Sequence, residues 1–309
     1  PSPLPEPAVQ YTDYACWQRE RLSGEHLERE LRVWRELLGG GGLPALALPT
    51  DHRRGAAAGS RGARQAITLA PDLAQALEDL GRREGATLFM TLLAVLAALL
   101  ARYTGQHLIP VASMSGHRHP PEIEPLIGCF VNLLILPVDV SGDPSFRDLL
   151  RRVRALTLAA YDHQDLPVEK LVEALRGSGG DPRTPVARMA LALQTDAAAD
   201  LAPPGLRLSE IEVEEPVAQT DLALTLRRGA DGLTGELLFD PDLYEAATAA
   251  RLVEHFQSLS EGVVAGPERR LSELPPQPGR ALALVEREGF ELTRQQQLLW
   301  AAQRLQPEM

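Results

Sequence analysis

Cysteine is scarce in this chain and paired histidine is absent, and each shortage removes a class of function. The two cysteines, Cys16 and Cys129, lie far apart in 309 residues, so they predict neither a disulfide framework nor a metal-ligand set. The seven histidines include no adjacent pair and no pair four residues apart, which is the spacing that a helical zinc site needs. We therefore expect no metal site and a reducing, cytoplasmic location.

Positive charge is also in short supply. Lys and Arg number 31 against 42 Asp and Glu, for a net charge of −11, and the basic residues are scattered along the sequence. Nucleic acids and anionic membranes require clustered Lys and Arg, so we expect neither as a partner. The longest apolar run, residues 88–101, is too short to cross a bilayer comfortably and predicts a buried helix.

Recognisable catalytic motifs are missing as well. The sequence has no nucleophile elbow, no phosphate-binding loop and no dinucleotide fingerprint. From chemistry-bearing residues alone, no active site can be assigned. An intact small acyltransferase is therefore a poor interpretation, because no nucleophile or base constellation is present.

What is present is an alternation of helical and strand patterns, which predicts an α/β (α+β) layered sandwich. Prolines make residues 1–8 and 275–279 linker-like. Helices are predicted at residues 14–38, 71–84, 87–102, 145–161, 167–175 and 244–260. Strands are predicted at residues 64–69, 107–113, 128–140, 189–194, 210–213, 221–227 and 233–239.

Three local patterns stand out. YTDYACW (11–17) places three aromatics in seven positions of a chain with only 5% aromatics, and it is read as a chemical site, a piece of core or a seam. In HQDLPVEKLVEAL (163–175), Asp165 suits a helix cap, Pro167 a first turn and Glu169 the positive end of a helix dipole. Asn132 is a polar side chain in an apolar strand, so it is either a structural tie or a group aimed at a cleft.

Taken in order, four segments resemble the later signature motifs of the condensation domain of nonribosomal peptide synthetases. They are YTDYACW (11–17), IGCFVN (127–132), HQDLPVEKL (163–171) and DPRTPVARMALALQ (181–194). The resemblance implies a chloramphenicol-acetyltransferase-like lobe with a mixed sheet flanked by helices. It also implies amide-bond formation between a donor acyl group and an acceptor amine. Both substrates would arrive on 4′-phosphopantetheine arms of carrier proteins, with no cofactor bound directly.

The family's catalytic motif, HHxxxDG, has no counterpart in this sequence. The chain is similar to the second lobe alone, with residues 1–10 as an inter-lobe linker and residues 11–274 as the C-terminal lobe. No catalytic residue is assigned, and the chain by itself is expected to be inactive. The alternative is a non-catalytic scaffold or docking module within a megasynthase.

Other positions take roles from the same resemblance. The candidates for lining a cleft or substrate channel are Ser113, Ser115, Asn132 and Gln194. The motif positions with a structural role are Tyr11, Asp13, Tyr14, Trp17, Gly128, Phe130, His163, Gln164, Asp165, Pro167, Glu169, Arg183 and Pro185. Tyr11, Tyr14 and Trp17 are expected to form core and seam, with Asp13 capping the helix that follows. Departures from the family pattern are Leu133 in place of threonine and a segment at 181–188 that keeps little beyond Arg183 and Pro185.

The end of the sequence carries a further match. LTRQQQLLWAAQRLQPE (292–308) resembles the opening motif of another condensation-type domain, or it is an amphipathic helix packed on this lobe. Residues 275–289 are then a linker and residues 290–309 the next domain's first helix. The partners implied are the missing N-terminal lobe, peptidyl carrier proteins, adjoining adenylation or condensation domains, and a second copy through an exposed apolar patch.

Overall fold

The computed structural model describes residues 7–40, 45–53, 61–116, 118, 121–176, 187–195, 218, 220–229 and 231–275. The chain divides into two compact units, residues 1–277 and 278–309, and the second lies outside the described ranges. The predicted strand at 210–213 and helix at 290–309 also lie outside them, as do Arg183 and Pro185.

Seven helices and six strands alternate along the described chain. The helices are α1 (Tyr11–Arg21), α2 (Gly24–Leu37), α3 (Pro71–Arg83), α4 (Leu88–Thr104), α5 (Phe146–Asp162), α6 (Val168–Arg176) and α7 (Ala246–Ala265). The strands are β1 (Ala63–Leu69), β2 (Leu108–Ser115), β3 (Asn132–Asp139), β4 (Met189–Thr195), β5 (Leu222–Gly229) and β6 (Gly232–Phe239). Short 3-10 turns lie at Pro121–Ile123 and Leu271–Glu273.

The six strands form one mixed sheet in the order β1-β6-β5-β4-β2-β3. The pairs β1–β6, β5–β6 and β2–β3 are antiparallel, whereas β2–β4 and β4–β5 are parallel. A parallel pair needs a long connection, and the chain between β2 and β4 supplies it with β3, α5 and α6. This architecture confirms the predicted α/β layered class and its mixed sheet.

The main core lies between the sheet and a helical layer centred on α4. Every residue from 90 to 100 in α4 is buried, which accounts for the long apolar run in the sequence. The helix starts where the Thr87 hydroxyl accepts the Met90 amide N–H at 3.3 Å and ends at Gly105, whose φ is +67°. Among the described helices, none alone is long and apolar enough to span a membrane; α3 and α4 would pass that test only as a pair bent by 102°.

The single helix predicted at 14–38 is in fact two. Gly24 has a φ of +53°, a conformation that glycine adopts without steric cost, and the chain turns there. Leu31 and Trp34 of α2 are buried in the main core. In α1 the buried residue is Tyr14, which is not part of the main core. Periodicity alone missed the break because the apolar spacing continues through it.

On the α4–α7 contact, Tyr103 and His255 form a partly buried pair with a pH-dependent consequence. The Tyr103 hydroxyl lies 2.6 Å from His255 Nδ1, and burial raises the pKa of Tyr103 to about 12. Burial also lowers the pKa of His255; Glu254 opposes this effect, and Arg251 and Arg102 add to it. At neutral pH the hydrogen bond therefore joins an uncharged phenol to an uncharged imidazole.

We expect the stability of the protein to fall as the pH drops below about 6.5, the ordinary pKa of histidine. Below that pH the unfolded chain binds a proton at His255 that the folded chain does not, and the loss levels off below the folded-state pKa. Urea unfolding of the wild type and of His255→Gln between pH 5 and 8 measures the effect. The variant should show a shallower pH dependence in this window, and equal slopes would contradict the prediction.

Candidate functional site

Two of the motif segments meet where β2 ends and β3 begins. Ser115 pairs directly with Asn132 across the two strands. Asn132 closes the IGCFVN segment, and its side chain reaches the turn between α5 and α6, which belongs to the HQDLPVEKL segment. Sequence separation had hidden this contact, because Asn132 and the turn lie more than thirty residues apart.

Asn132 uses both ends of its amide to hold that turn. Its Nδ2 donates to the carbonyl oxygens of Gln164 at 2.8 Å and Leu166 at 2.7 Å. Its Oδ1 accepts the amide N–H of Val168, the first residue of α6, at 3.2 Å. Of the two alternatives for Asn132, the described contacts are those of a structural tie.

The other side of the turn is held by α1 and α2. The Trp34 indole N–H donates to the carbonyl oxygen of His163 at 2.9 Å, and His163 Nδ1 lies 2.9 Å from Glu30 Oε2. Asp165 Oδ2 lies 3.6 Å from Arg21 Nε. Pro167 immediately precedes α6, and Glu169 lies exposed in its first turn. Residues 163–167, hereafter the HQDLP turn, therefore join the N-terminal helices to the strand ends.

The four predicted cleft residues do not all lie together. Ser113 and Ser115, two residues apart in β2, lie on one face of the sheet, and Asn132 of β3 lies on the same face. The Ser115 hydroxyl donates to Gln164 Oε1. Ala112 pairs with Ala190 of β4, so strand alternation places Gln194 on the opposite face of the sheet. Gln194 is exposed there and accepts a hydrogen bond from Arg227 at 3.3 Å.

The aromatics of YTDYACW pack outside the main core. Tyr14 is buried in a satellite cluster with Ile123, Leu126 and Phe130. The ring of Tyr14 lies 4.8 Å from that of Phe130, and the ring of Tyr11 meets Phe130 edge-on at 5.2 Å. The Tyr11 hydroxyl donates to the carbonyl oxygen of Cys129 at 2.9 Å. We call Tyr11, Tyr14, Ile123, Leu126 and Phe130 together the satellite cluster. Its contacts hold α1 against residues 121–130.

Asp13 takes part in capping α1, but from the third position inside the helix and not from ahead of it. Its carboxylate accepts the amide N–H of Gln10, the N-cap residue, at 2.8 Å in a capping box. Trp17 stays 41% exposed beside Tyr14 and Arg21. Burial, reinforced by the charge of Asp165, raises the pKa of Tyr14 to about 12, so its phenol keeps its proton at neutral pH.

Arg118 is a structural residue that sequence reasoning missed. Its guanidinium lies 4.5 Å from the Phe130 ring centre. The same group donates to the carbonyl oxygens of Ile123 at 3.4 Å, Glu124 at 3.0 Å and Leu126 at 2.7 Å. A lone arginine in a proline-rich loop gives no sequence signal for such a role, because its acceptors are main-chain atoms.

Next to this loop the surface is apolar. Ile127 is 97% exposed, Met114 67% and Val131 55%. Met114 lies on the face of the β2–β3 pair that points away from Asn132, and Val131 directly precedes β3. We call these three residues the apolar patch. Within the described residues, no three His, Cys, Asp or Glu side chains are grouped so as to hold a metal ion.

A six-stranded mixed sheet flanked by helices is an α/β lobe of the chloramphenicol-acetyltransferase type, and solved structures share it. The X-domain from teicoplanin biosynthesis is 29% identical with a TM-score of 0.78, covering 89% of this chain and 64% of that one. A chain of the solved complex of the X-domain and OxyB from teicoplanin biosynthesis is also 29% identical, with a TM-score of 0.78. The match covers 88% of this chain and 61% of that one.

The condensation-domain family model matches residues 1–280, so the chain belongs to the condensation domain family. One of the linear gramicidin synthase proteins of Brevibacillus parabrevis is 42% identical over 287 residues, which is 92% of this chain and 6% of that protein. The chain thus spans a small fraction of the synthase that it matches and less than two thirds of the solved X-domain chain. The predicted resemblance to nonribosomal peptide synthetase condensation domains is confirmed.

Proposed function

We propose that residues 11–274 supply the acceptor-side, C-terminal lobe of a condensation domain. The reaction is amide-bond formation between a donor acyl group and an acceptor aminoacyl group, each carried on the 4′-phosphopantetheine arm of a carrier protein. The observation that carries the proposal is the meeting of two family motifs at one sheet edge through Asn132. Family membership supports the reaction class.

The proposal makes this chain dependent on a partner. The sequence holds no HHxxxDG motif, and the polar groups at the strand ends, Ser113, Ser115 and Asn132, are poor bases at neutral pH. A second lobe must therefore provide the group that acts on the acceptor amine. Carrier proteins and adjoining adenylation or condensation domains are the remaining partners, and a cytoplasmic location suits all of them.

The apolar patch supports the half-domain interpretation. Exposed aliphatic side chains that lie together on a soluble protein commonly mark an interaction surface. Met114 lies next to the last residue of β2, and Val131 directly precedes β3; a second lobe that covers these strand ends would bury both side chains. In the absence of that lobe, the same surface is expected to drive self-association of the chain.

A condensation assay tests the proposal directly. The chain is compared alone and fused behind an N-terminal lobe that carries HHxxxDG, taken from an active condensation domain, with that domain's own donor and acceptor loaded on carrier proteins. We expect amide product from the fusion and none from the chain alone, because the general base comes from the added lobe.

A fusion in which the second histidine is replaced by alanine is the matched control, and it should be inactive. Product from the chain alone would refute its dependence on a partner. A folded fusion without product would refute the catalytic proposal.

One observation favours a second candidate, a non-catalytic docking module. The solved X-domain that this chain resembles was also captured in a complex with OxyB. If this chain acts in the same way, its exposed surface recruits a partner protein and no condensation occurs. The coding sequence upstream of Pro1 separates the candidates: an HHxxxDG motif within one lobe's length supports the enzyme, and an unrelated domain there supports docking.

A further inference from the structure

We propose that Asn132 is a positioning residue for the condensation reaction: it locks the HQDLP turn against the ends of β2 and β3 and thereby fixes the Ser115–Gln164 pair at these strand ends, where the proposed second lobe would close a cleft. The inference rests on the proposed function and adds a residue role to it. Asn132 makes its contacts with the turn and needs no contact with substrate to act in this way.

The chemistry of the contacts requires an amide side chain. Two main-chain carbonyl oxygens, of Gln164 and Leu166, need donors, and one amide N–H, of Val168, needs an acceptor. A carboxamide offers two N–H groups and one oxygen from a single short side chain. An aspartate keeps the shape but turns both donors into one acceptor, and an alanine leaves all three main-chain groups without this partner. Asn132 is the only asparagine among the 309 residues.

The turn controls a side chain that faces the strand ends. Gln164 accepts the Ser115 hydroxyl through Oε1 while its main-chain oxygen is held by Asn132. Ser115 and Asn132 are themselves cross-strand partners. The main chain of Gln164 is thus held by Asn132 and its side chain by Ser115, the residue paired with Asn132 across the two strands. The orientation of Gln164 therefore depends on Asn132.

The first experiment uses the chain alone, without reference to catalysis. Hydrogen exchange is measured on the wild type, Asn132→Ala and Asn132→Asp, each checked for folding by circular dichroism. We expect amide exchange over residues 164–168 to accelerate about tenfold in both variants, because one or more partly buried hydrogen bonds are lost. Exchange in β5 and β6 should stay unchanged. An unaltered turn, or acceleration spread equally over the sheet, would refute the inference.

Gln106 offers a matched control at the far end of β2. Its side-chain oxygen accepts the Ala47 N–H at 2.7 Å and its Nε2 donates to the Ala45 carbonyl oxygen at 2.9 Å. Gln106→Glu therefore removes the donor half of a comparable amide bridge that lies away from the turn. We expect it to alter exchange near residues 45–47 and not in the HQDLP turn.

The aspartate variant adds a test that a general loss of packing would not pass. When protonated, the carboxyl group that Asn132→Asp introduces can again donate to one carbonyl oxygen, whereas its ionised form faces two acceptors. The melting temperature of Asn132→Asp should therefore rise relative to that of Asn132→Ala as the pH is lowered from about 8 to about 5. A constant difference between the two variants over this range would refute the proposed donor role.

The second experiment measures catalysis in the two-lobe fusion described above. Asn132→Ala is expected to lower kcat about a hundredfold, because displacing groups that orient the substrate is costly. The KM for the carrier-bound acceptor should change little, since carrier docking is not altered. Gln106→Glu should keep the wild-type kcat. A full kcat in a folded Asn132→Ala fusion would overturn the inference, whereas an inactive wild-type fusion would refute the proposed function and leave the exchange test standing.

Discussion

Replacing Trp34 with alanine is expected to lower the free energy of unfolding by about 3–5 kcal/mol, the usual cost of deleting a buried indole. Trp34 is 1% exposed and belongs to the main core. Its indole N–H also donates to the His163 carbonyl oxygen at 2.9 Å. The substitution would therefore open a cavity under α2 and release one side of the HQDLP turn at the same time.

Trp34→Phe separates these two effects, because it keeps an aromatic ring and removes the indole N–H. We expect it to cost about 1–3 kcal/mol, from the lost hydrogen bond to a partly buried carbonyl and from a smaller ring. Urea unfolding followed by circular dichroism measures both variants. If alanine and phenylalanine cost the same, or if either costs less than about 1 kcal/mol, Trp34 is not the anchor that the contacts indicate.

Much of the fold could be predicted from the sequence because the strongest patterns are local. A local pattern predicts which residues of an element are buried. This holds for the apolar run of α4, the amphipathic spacing of α5 and the apolar strand pattern of β3. The predicted α/β class follows from their alternation and the mixed sheet from the family resemblance, and both are confirmed. The break before α2 was missed because Gly24 interrupts the backbone without interrupting the apolar spacing.

The candidate site was harder to predict because its contacts are between distant segments. Trp34 and His163 are 129 residues apart in sequence, and Ser115 and Gln164 are 49 apart. Ser113 and Gln194 could not be assigned to faces from sequence, because their relation depends on the register of β2 with β4. For Asn132, the residue type predicted a need for partners, and the fold supplied their identity.

The segment YTDYACW shows how far a local pattern can be interpreted. The aromatic cluster alone left open a chemical site, a piece of core or a seam, and the family resemblance favoured core and seam. The contacts of Tyr11 and Tyr14 place it as the satellite cluster, in which α1 and residues 121–130 stabilise each other. The exposed indole of Trp17 lies at the edge of that cluster. The most informative partner of the segment is a glycine, which no hydrophobic pattern would select.

Gly128→Ala is expected to destabilise the satellite cluster by about 1–3 kcal/mol, the usual cost of overpacking. A methyl group on Gly128 would overlap the Tyr11 ring, with Cε2 at 2.7 Å and Cγ at 2.9 Å and Cδ2 closer still. The ring must then rotate, which breaks the hydrogen bond to the Cys129 carbonyl oxygen and the edge-on contact with Phe130. Near-ultraviolet circular dichroism and hydrogen exchange in α1 should both report the loss.

The double variant Tyr11→Ala/Gly128→Ala decides whether this overlap is the cause. With the ring removed, the added methyl group has room, so Gly128→Ala should cost close to nothing in the Tyr11→Ala background. The coupling energy in this double-mutant cycle should then nearly equal the full cost of Gly128→Ala. Additive costs would mean that Gly128 is needed for another reason. A cost that disappears with Tyr11 would identify the glycine as the space into which the first aromatic of YTDYACW packs.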